Sequence, residues 1–228
     1  MWLKNELTSN AAISAYRAAL LRSRPRHVVI DNLFDETKLD GVLALLEEPQ
    51  QWQQQQHTYS ALYVDSNRWQ NTNDTQRFVQ RDIWQRKAHN PSNNIAHAFL
   101  SFLRGDIFMS FLSRIFNIEI TDINVADPII NTNYFRLSPA DFVRQHADDS
   151  PGRQVCMLLY LNKAWQPNSG GELVFKGQNN KPIHIAPHYN RCVLFDPSSK
   201  GSEHWVEALN NGRAQQYRYN VTSWYWSE

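Results

Sequence analysis

The sequence predicts a mainly β domain, a sandwich or barrel, supported by an N-terminal helical part. Two observations carry this. The second half of the chain breaks into short β-branched and aromatic runs about ten residues apart with polar turns between them. The first half instead places apolar residues at helical spacing.

Taken in order, Leu7 to Leu21 carries Ile13, Tyr16 and Leu20 on one helical face, and His27 to Ile30 (HVVI) reads as a strand. Asp35 is suited to cap a helix bearing Leu39, Val42, Leu43 and Leu46, which Pro49 stops. Ile95, Phe99, Phe102 and Leu103 form a further apolar face. Gly105-Asp106 breaks it and recaps a helix with Phe108, Phe111, Leu112, Ile115 and Phe116. These aromatic stripes are expected to pack on the outer face of the sheet. Between the helical pairs lies Gln50 to Asn90, rich in Gln, Asn, Arg and Trp, with Tyr59, Tyr63, Trp69, Phe78 and Trp84 among polar residues. It reads either as an irregular region with two edge strands or as a lid or groove wall that receives substrate.

The β-type runs follow. Val155 to Asn162 (VCMLLYLN) is apolar enough for a buried strand, and Glu172 to Phe175 follows the turn Asn168-Ser169-Gly170-Gly171. Arg191 to Asp196 ends at Pro197; His204 to Leu209 and Arg218 to Trp226 complete the set. No linker separates the halves, so residues 1–228 are expected to form one domain, with 1–120 as helical support and candidate lid and 121–228 as the β core.

Composition narrows the function. Lys plus Arg number 23 against 22 Asp plus Glu, so no field draws the chain to nucleic acid or an anionic membrane. No stretch of eighteen apolar residues and no N-terminal signal pattern is present. The two cysteines, Cys156 and Cys192, fall in strand-like runs and read as buried reduced thiols. The expectation is a soluble cytoplasmic protein.

His146-Ala147-Asp148, followed far downstream by His204, supplies two imidazoles and a carboxylate. That set can occupy one face of an octahedral divalent ion and leave the other face open. On a strand, positions i and i+2 point to the same side, which would bring His146 and Asp148 together and turn Asp149 away. On the last strand the same period puts Arg218, Asn220, Thr222 and Trp224 on one face and Tyr219, Val221, Ser223 and Tyr225 on the other. An arginine on an apolar inner face calls for an anion, which a dicarboxylate co-substrate would supply. His184 and His188 have metal-ligand spacing, but Pro187 between them argues against a helix presenting both.

The segments from His146 to Phe175, Arg191 to Leu209 and Arg218 to Trp226 resemble the catalytic core of the prolyl-4-hydroxylase-like Fe(II)/2-oxoglutarate dioxygenases, of the hypoxia-factor and ribosomal-protein prolyl hydroxylase type with their bacterial members. The resemblance is specific from about Tyr134 to Trp226 and looser before it. It implies a double-stranded β-helix (jelly roll, cupin-like). It also implies Fe(2+) held by His146, Asp148 and His204, and 2-oxoglutarate and O2 as co-substrates, with ascorbate a candidate reductant. Arg218 matches the residue that pairs with the far carboxylate of 2-oxoglutarate, and Tyr160 the tyrosine that bonds that carboxylate. Thr222 matches a hydroxyl near the iron, and Tyr134 roughly matches a pocket tyrosine. Arg218 stands farther from His204 than in many relatives, across the insertion Asn210 to Ala214, so Arg213 is a rival anchor; the Tyr-x-Val-Thr-x-Trp run after Arg218 favours Arg218.

By this resemblance the target is a prolyl residue in a protein or peptide. Two other readings stand beside it: a hydroxylase of the same fold acting on a small molecule such as a free amino acid, and a non-catalytic jelly-roll protein that retains a metal. Intact Asp148 and Arg218 argue against the last.

Overall fold

A computed structural model of the chain describes residues 1–62, 64–86, 94–121, 131–163, 165–179, 181–210 and 217–227. Two antiparallel sheets face one another, and helices cover the outside of the larger. The larger sheet comprises β1 (His27–Asp31), β2 (Trp52–Thr58), β3 (Arg77–Trp84), β4 (Thr132–Leu137), β5 (Phe142–Val143), β6 (Arg153–Tyr160), β9 (Arg191–Phe195) and β11 (Arg218–Trp226). Its order is β1-β9-β6-β11-β4-β3-β2, with β5 also pairing with β3. The smaller sheet is β10 (His204–Val206), β7 (Leu173–Phe175) and β8 (Ile183–Ile185), in that order. This is a sandwich, as the β-type runs predict, and it takes the jelly-roll form that the resemblance implies. β5 and β8 went unread, because two and three residues carry too little pattern to register, and β4 was marked only by the resemblance around Tyr134.

The helices form where their caps and apolar stripes predict. Ser9 caps α1 (Asn10–Arg22) by accepting from Ala12 N–H, and Asp35 caps α2 (Glu36–Leu46) by accepting from Lys38 N–H. After the short α3 (Ser66–Asn71), Asn94 caps α4 (Ile95–Leu103), and Gly105 opens α5 (Asp106–Phe116), which ends on Asn117 in the left-handed conformation. Leu39, Val42, Leu46, Phe99, Leu103, Phe108 and Leu112 join one apolar cluster with Val155, Met157, Leu159, Cys192, Leu194, Val221 and Tyr225 from the sheet. Each such side chain contributes roughly 1.5–3 kcal/mol on burial. No single described helix is long and apolar enough to cross a membrane.

The opposite face of the large sheet is the interior of the sandwich. Cys156, Leu158, Tyr160, Val193 and Phe195 pack there against Leu173, Phe175 and Ile185 of the small sheet. Register distributes residues between the two faces. Cross-strand partners share a side, so Tyr160 and Phe135 lie on the side of Asn220, while Tyr134 lies with Val221 on the helical side.

The region 50–90 contributes the edge strand β2, the helix α3 and the inner strand β3. Of its aromatic residues, Trp84 and Trp69 are buried and so serve packing, not a groove; Trp84 meets Tyr134 and His97 edge-on. Tyr59 and Phe78 remain at the surface side of the site. Tyr63 and Lys87 to Asn90 lie outside the described residues, as does the rival anchor Arg213.

Candidate metal and co-substrate site

His146, Asp148 and His204 come together in the sandwich with one donor atom from each lying within 4.8 Å of the others. An ion about 2.1 Å from each of two neighbouring donors would hold them about 3 Å apart, so closure asks for small adjustments only. The pairing of the two histidines is local. Their backbones exchange both hydrogen bonds, His146 N–H to His204 O at 3.0 Å and His204 N–H to His146 O at 2.9 Å. Contrary to the strand expected for His146 to Asp148, this is a single bridge. Asp148 follows it in irregular chain.

The ring tautomers follow from their partners. His146 Nδ1 lies 2.9 Å from Arg144 O and His204 Nδ1 lies 3.0 Å from Ser202 O. A carbonyl only accepts, so each Nδ1 carries the proton and each Nε2 offers its lone pair to the centre. Burial, with the charge of His146, pushes the His204 pKa down to about 4 against the opposing pull of Asp148 and Ser202 O, which keeps that imidazole neutral near pH 7. Burial alone would raise Asp148. The electrostatic pull of the two imidazoles and of Arg153, with the hydrogen bond from Trp224, outweighs it and holds the carboxyl below its ordinary value. Two imidazole Nε2 atoms and one ionised oxygen suit a ferrous ion. Phe195 and Phe175 stand against the His204 ring, with centroids 5.2 Å and 6.0 Å away, and exclude water from that side.

Arg218 and Tyr160 form a second feature. Arg218 is buried, donates from Nε to Gly171 O at 2.7 Å and from Nη1 to Asn220 Oδ1 at 2.8 Å, and lies over the Tyr160 ring at 4.9 Å. Its Nη2 and the Tyr160 hydroxyl are buried beside one another and make no close hydrogen bond to any other described residue. Burial pushes Tyr160 up to about 12, so its hydroxyl stays a neutral donor. A guanidinium and a phenol with donors to spare fit the far carboxylate of 2-oxoglutarate. Gly171 makes room for the arginine: at φ +81 a Cβ there would stand 3.0 Å from Arg218 Cδ and 2.8 Å from Leu209 Cδ2. Along the same face Asn220 Nδ2 donates to Thr222 Oγ1 at 2.9 Å, which joins Thr222 to the anchor through Asn220.

Tyr134 does not belong to this pocket. It pairs with Val221, points into the helical core and donates to Ala96 O of α4 at 2.8 Å. Phe135, its neighbour, faces inward instead, beneath the Arg81 guanidinium at 3.4 Å. His184 is exposed on β8, and it and His188 join no metal-type cluster among the described residues. Three participants escaped the sequence reading: Trp224, Arg153 and Asn220. The period-two face of the last strand already held two of them beside Arg218.

Residues 132–226 match the 2OG-Fe(II) oxygenase superfamily. The matched superfamily implies ferrous iron, 2-oxoglutarate and O2 as the groups to be held, and the donors just described fit the first two. Prolyl 3-hydroxylase OGFOD1 of Mus musculus is 23% identical over 154 residues, covering 64% of this chain and 27% of that protein. Among solved structures, a Pseudomonas putida prolyl-4-hydroxylase superposes with a TM-score of 0.61 at 17% identity, covering 94% of this chain and 99% of that one. A Trichoplax adhaerens prolyl hydroxylase, in complex with a peptide fragment of the hypoxia inducible factor oxygen degradation domain, gives 0.67 at 21% identity, covering 98% and 93%.

Proposed function

We propose that the protein is a Fe(II)- and 2-oxoglutarate-dependent dioxygenase that hydroxylates a prolyl residue of a protein or peptide. The observation that carries this is the conjunction within one sandwich of an imidazole pair and carboxylate with a buried guanidinium and phenol left with donors to spare. Bound there, iron and 2-oxoglutarate would supply an oxidative decarboxylation that delivers one oxygen of O2 to a substrate C–H and releases succinate and CO2. The protein's part is to orient. His146 and His204 present Nε2, Asp148 stays ionised, and Arg218 with Tyr160 would hold the far carboxylate of 2-oxoglutarate.

A prolyl target is supported by the names of the mouse, Pseudomonas and Trichoplax relatives, and a peptide by the fragment bound to the last. The rim of the site also suits a flat apolar ring. Tyr59, half-exposed, stacks on Phe78 at 5.0 Å, and Phe78 lies 5.6 Å from the His146 ring. The reduced, buried Cys156 and Cys192 support the further proposal that the protein works in the cytoplasm.

The test is succinate formation by anaerobically iron-loaded protein given 2-oxoglutarate and O2, wild type beside Asp148→Ala. Succinate from wild type alone, followed by a gain of about 16 Da on proline-containing peptides, is the expected result. Succinate from neither protein would sink the oxygenase reading. Turnover without any modified proline would sink the prolyl one.

A further inference from the structure

We propose that Trp224 is the positioning residue for the metal-ligating carboxylate: its indole N–H, and not the fold of the ligand's own segment, sets the orientation of Asp148. The proposal rests on the reading of His146, Asp148 and His204 as a metal centre.

The three candidate ligands are not held alike. His146 and His204 are fastened by their mutual backbone bridge, and each ring is fixed by its Nδ1 bond to a carbonyl two residues earlier. Asp148 has neither support. The chain from Ala147 to Ser150 has no ladder partner, so the torsions of the Asp148 side chain are left to what touches it. Trp224 Nε1 donates to Asp148 Oδ2 at 2.8 Å. Arg153 Nη1 donates to the Asp148 carbonyl at 2.6 Å and lies 3.5 Å from Oδ1. The Cys156 thiol approaches Oδ2 at 3.7 Å, long enough to be a minor contact.

Trp224 also underlies the second of these contacts. The Arg153 guanidinium lies over the Trp224 ring at 5.5 Å and the Trp226 ring at 4.9 Å. Trp224 itself is rigidly placed, in the interior of β11, paired with Cys156 of the neighbouring strand. The device therefore runs from a well-anchored central strand, through one N–H and one aromatic face, to a carboxylate on an irregular segment. An ionised carboxylate has about four acceptor positions. With Trp224 on Oδ2 and Arg153 beside Oδ1, the remaining lone pairs turn toward the gap between the two imidazoles, 3.8 Å from each Nε2. Partners of this kind orient a ligand and tune its donor strength, and their loss typically weakens metal binding about 10–100-fold.

Trp224→Phe separates the two roles, because phenylalanine keeps a smaller aromatic face under Arg153 and removes the N–H. The experiment titrates metal-free full-length wild type, Trp224→Phe and Asp148→Ala with Co(II), following the visible ligand-field bands and the dissociation constant. Expected is a loss of about 10–100-fold in Co(II) affinity for Trp224→Phe, with shifted bands for the ion it still binds, and a larger loss for Asp148→Ala. If Asp148→Ala weakens binding while Trp224→Phe stays within about twofold with unchanged bands, the positioning role is wrong and the metal centre stands. If neither variant changes Co(II) binding, the metal-centre reading fails and takes the proposal with it.

Should Trp224→Phe not fold, the indole N–H resonance of Trp224 in 15N-labelled wild type decides the matter. A signal protected from solvent exchange that moves on Zn(II) loading supports the role. One that exchanges freely and does not move overturns it.

Discussion

Arg218 carries its charge into the sandwich with two of its nitrogens bonded to Gly171 O and Asn220 and the third, Nη2, left over beside the Tyr160 hydroxyl. Such an arrangement is costly without an anion, so its role can be tested by deletion. Arg218→Ala should raise the 2-oxoglutarate requirement at least about thirtyfold, since leaving a buried carboxylate without its cation costs about 2–5 kcal/mol. Tyr160→Phe, which removes one neutral donor worth about 1 kcal/mol, should raise it only about fivefold. Competition of 2-oxoglutarate against a bound analogue, measured with Co(II) in place, checks both without turnover. If Arg218→Ala left the requirement unchanged while Arg213→Ala raised it, the anchor would be the wrong arginine.

At the level of elements, Tyr134 makes the sharpest case. Its place came from the resemblance alone, and its face was not legible, because alternation along one strand does not say which side is the interior. The pairing with Val221 of β11 decides it, and that pairing is a long-range fact. Tyr134→Phe should therefore lower stability by about 1 kcal/mol through the lost bond to Ala96 O, while metal and 2-oxoglutarate affinities stay within about twofold of wild type. A tenfold loss of 2-oxoglutarate affinity with unchanged stability would return Tyr134 to the pocket. The same contrast explains the rest of the record. Helices α2, α4 and α5 were readable because cap and stripe are local signals. The imidazoles and Asp148 were readable because their order and types are chemically restrictive. Arg153 was not, because a guanidinium that supports a ligand through its backbone carbonyl leaves no pattern in the sequence.

Across the whole molecule, net charge is near neutral, so response to acid is set by individual buried groups and not by general repulsion. His57 and His204 are both enclosed within the fold and held neutral. Burial, with the charges of Arg81 and His146, pushes His57 down to about 3, and His204 falls to about 4. Both values lie below the ordinary 6.5, so between about pH 6.5 and 4 the unfolded chain binds protons that the folded one refuses. The stabilisation from keeping these rings neutral is complete above pH 6.5 and drains away as the pH falls. Each ring contributes a slope of up to about 1.4 kcal/mol per pH unit. Asp148, whose pKa is lowered, adds to the acid loss only below the ordinary carboxylate value of 3.8. Urea unfolding of the metal-free protein should therefore show a midpoint that falls steadily from pH 7 to pH 5. His57→Gln, which cannot take up a proton, should flatten that fall by roughly half. A midpoint independent of pH over that range would mean that the two rings are reached by water and protonate freely in the folded protein.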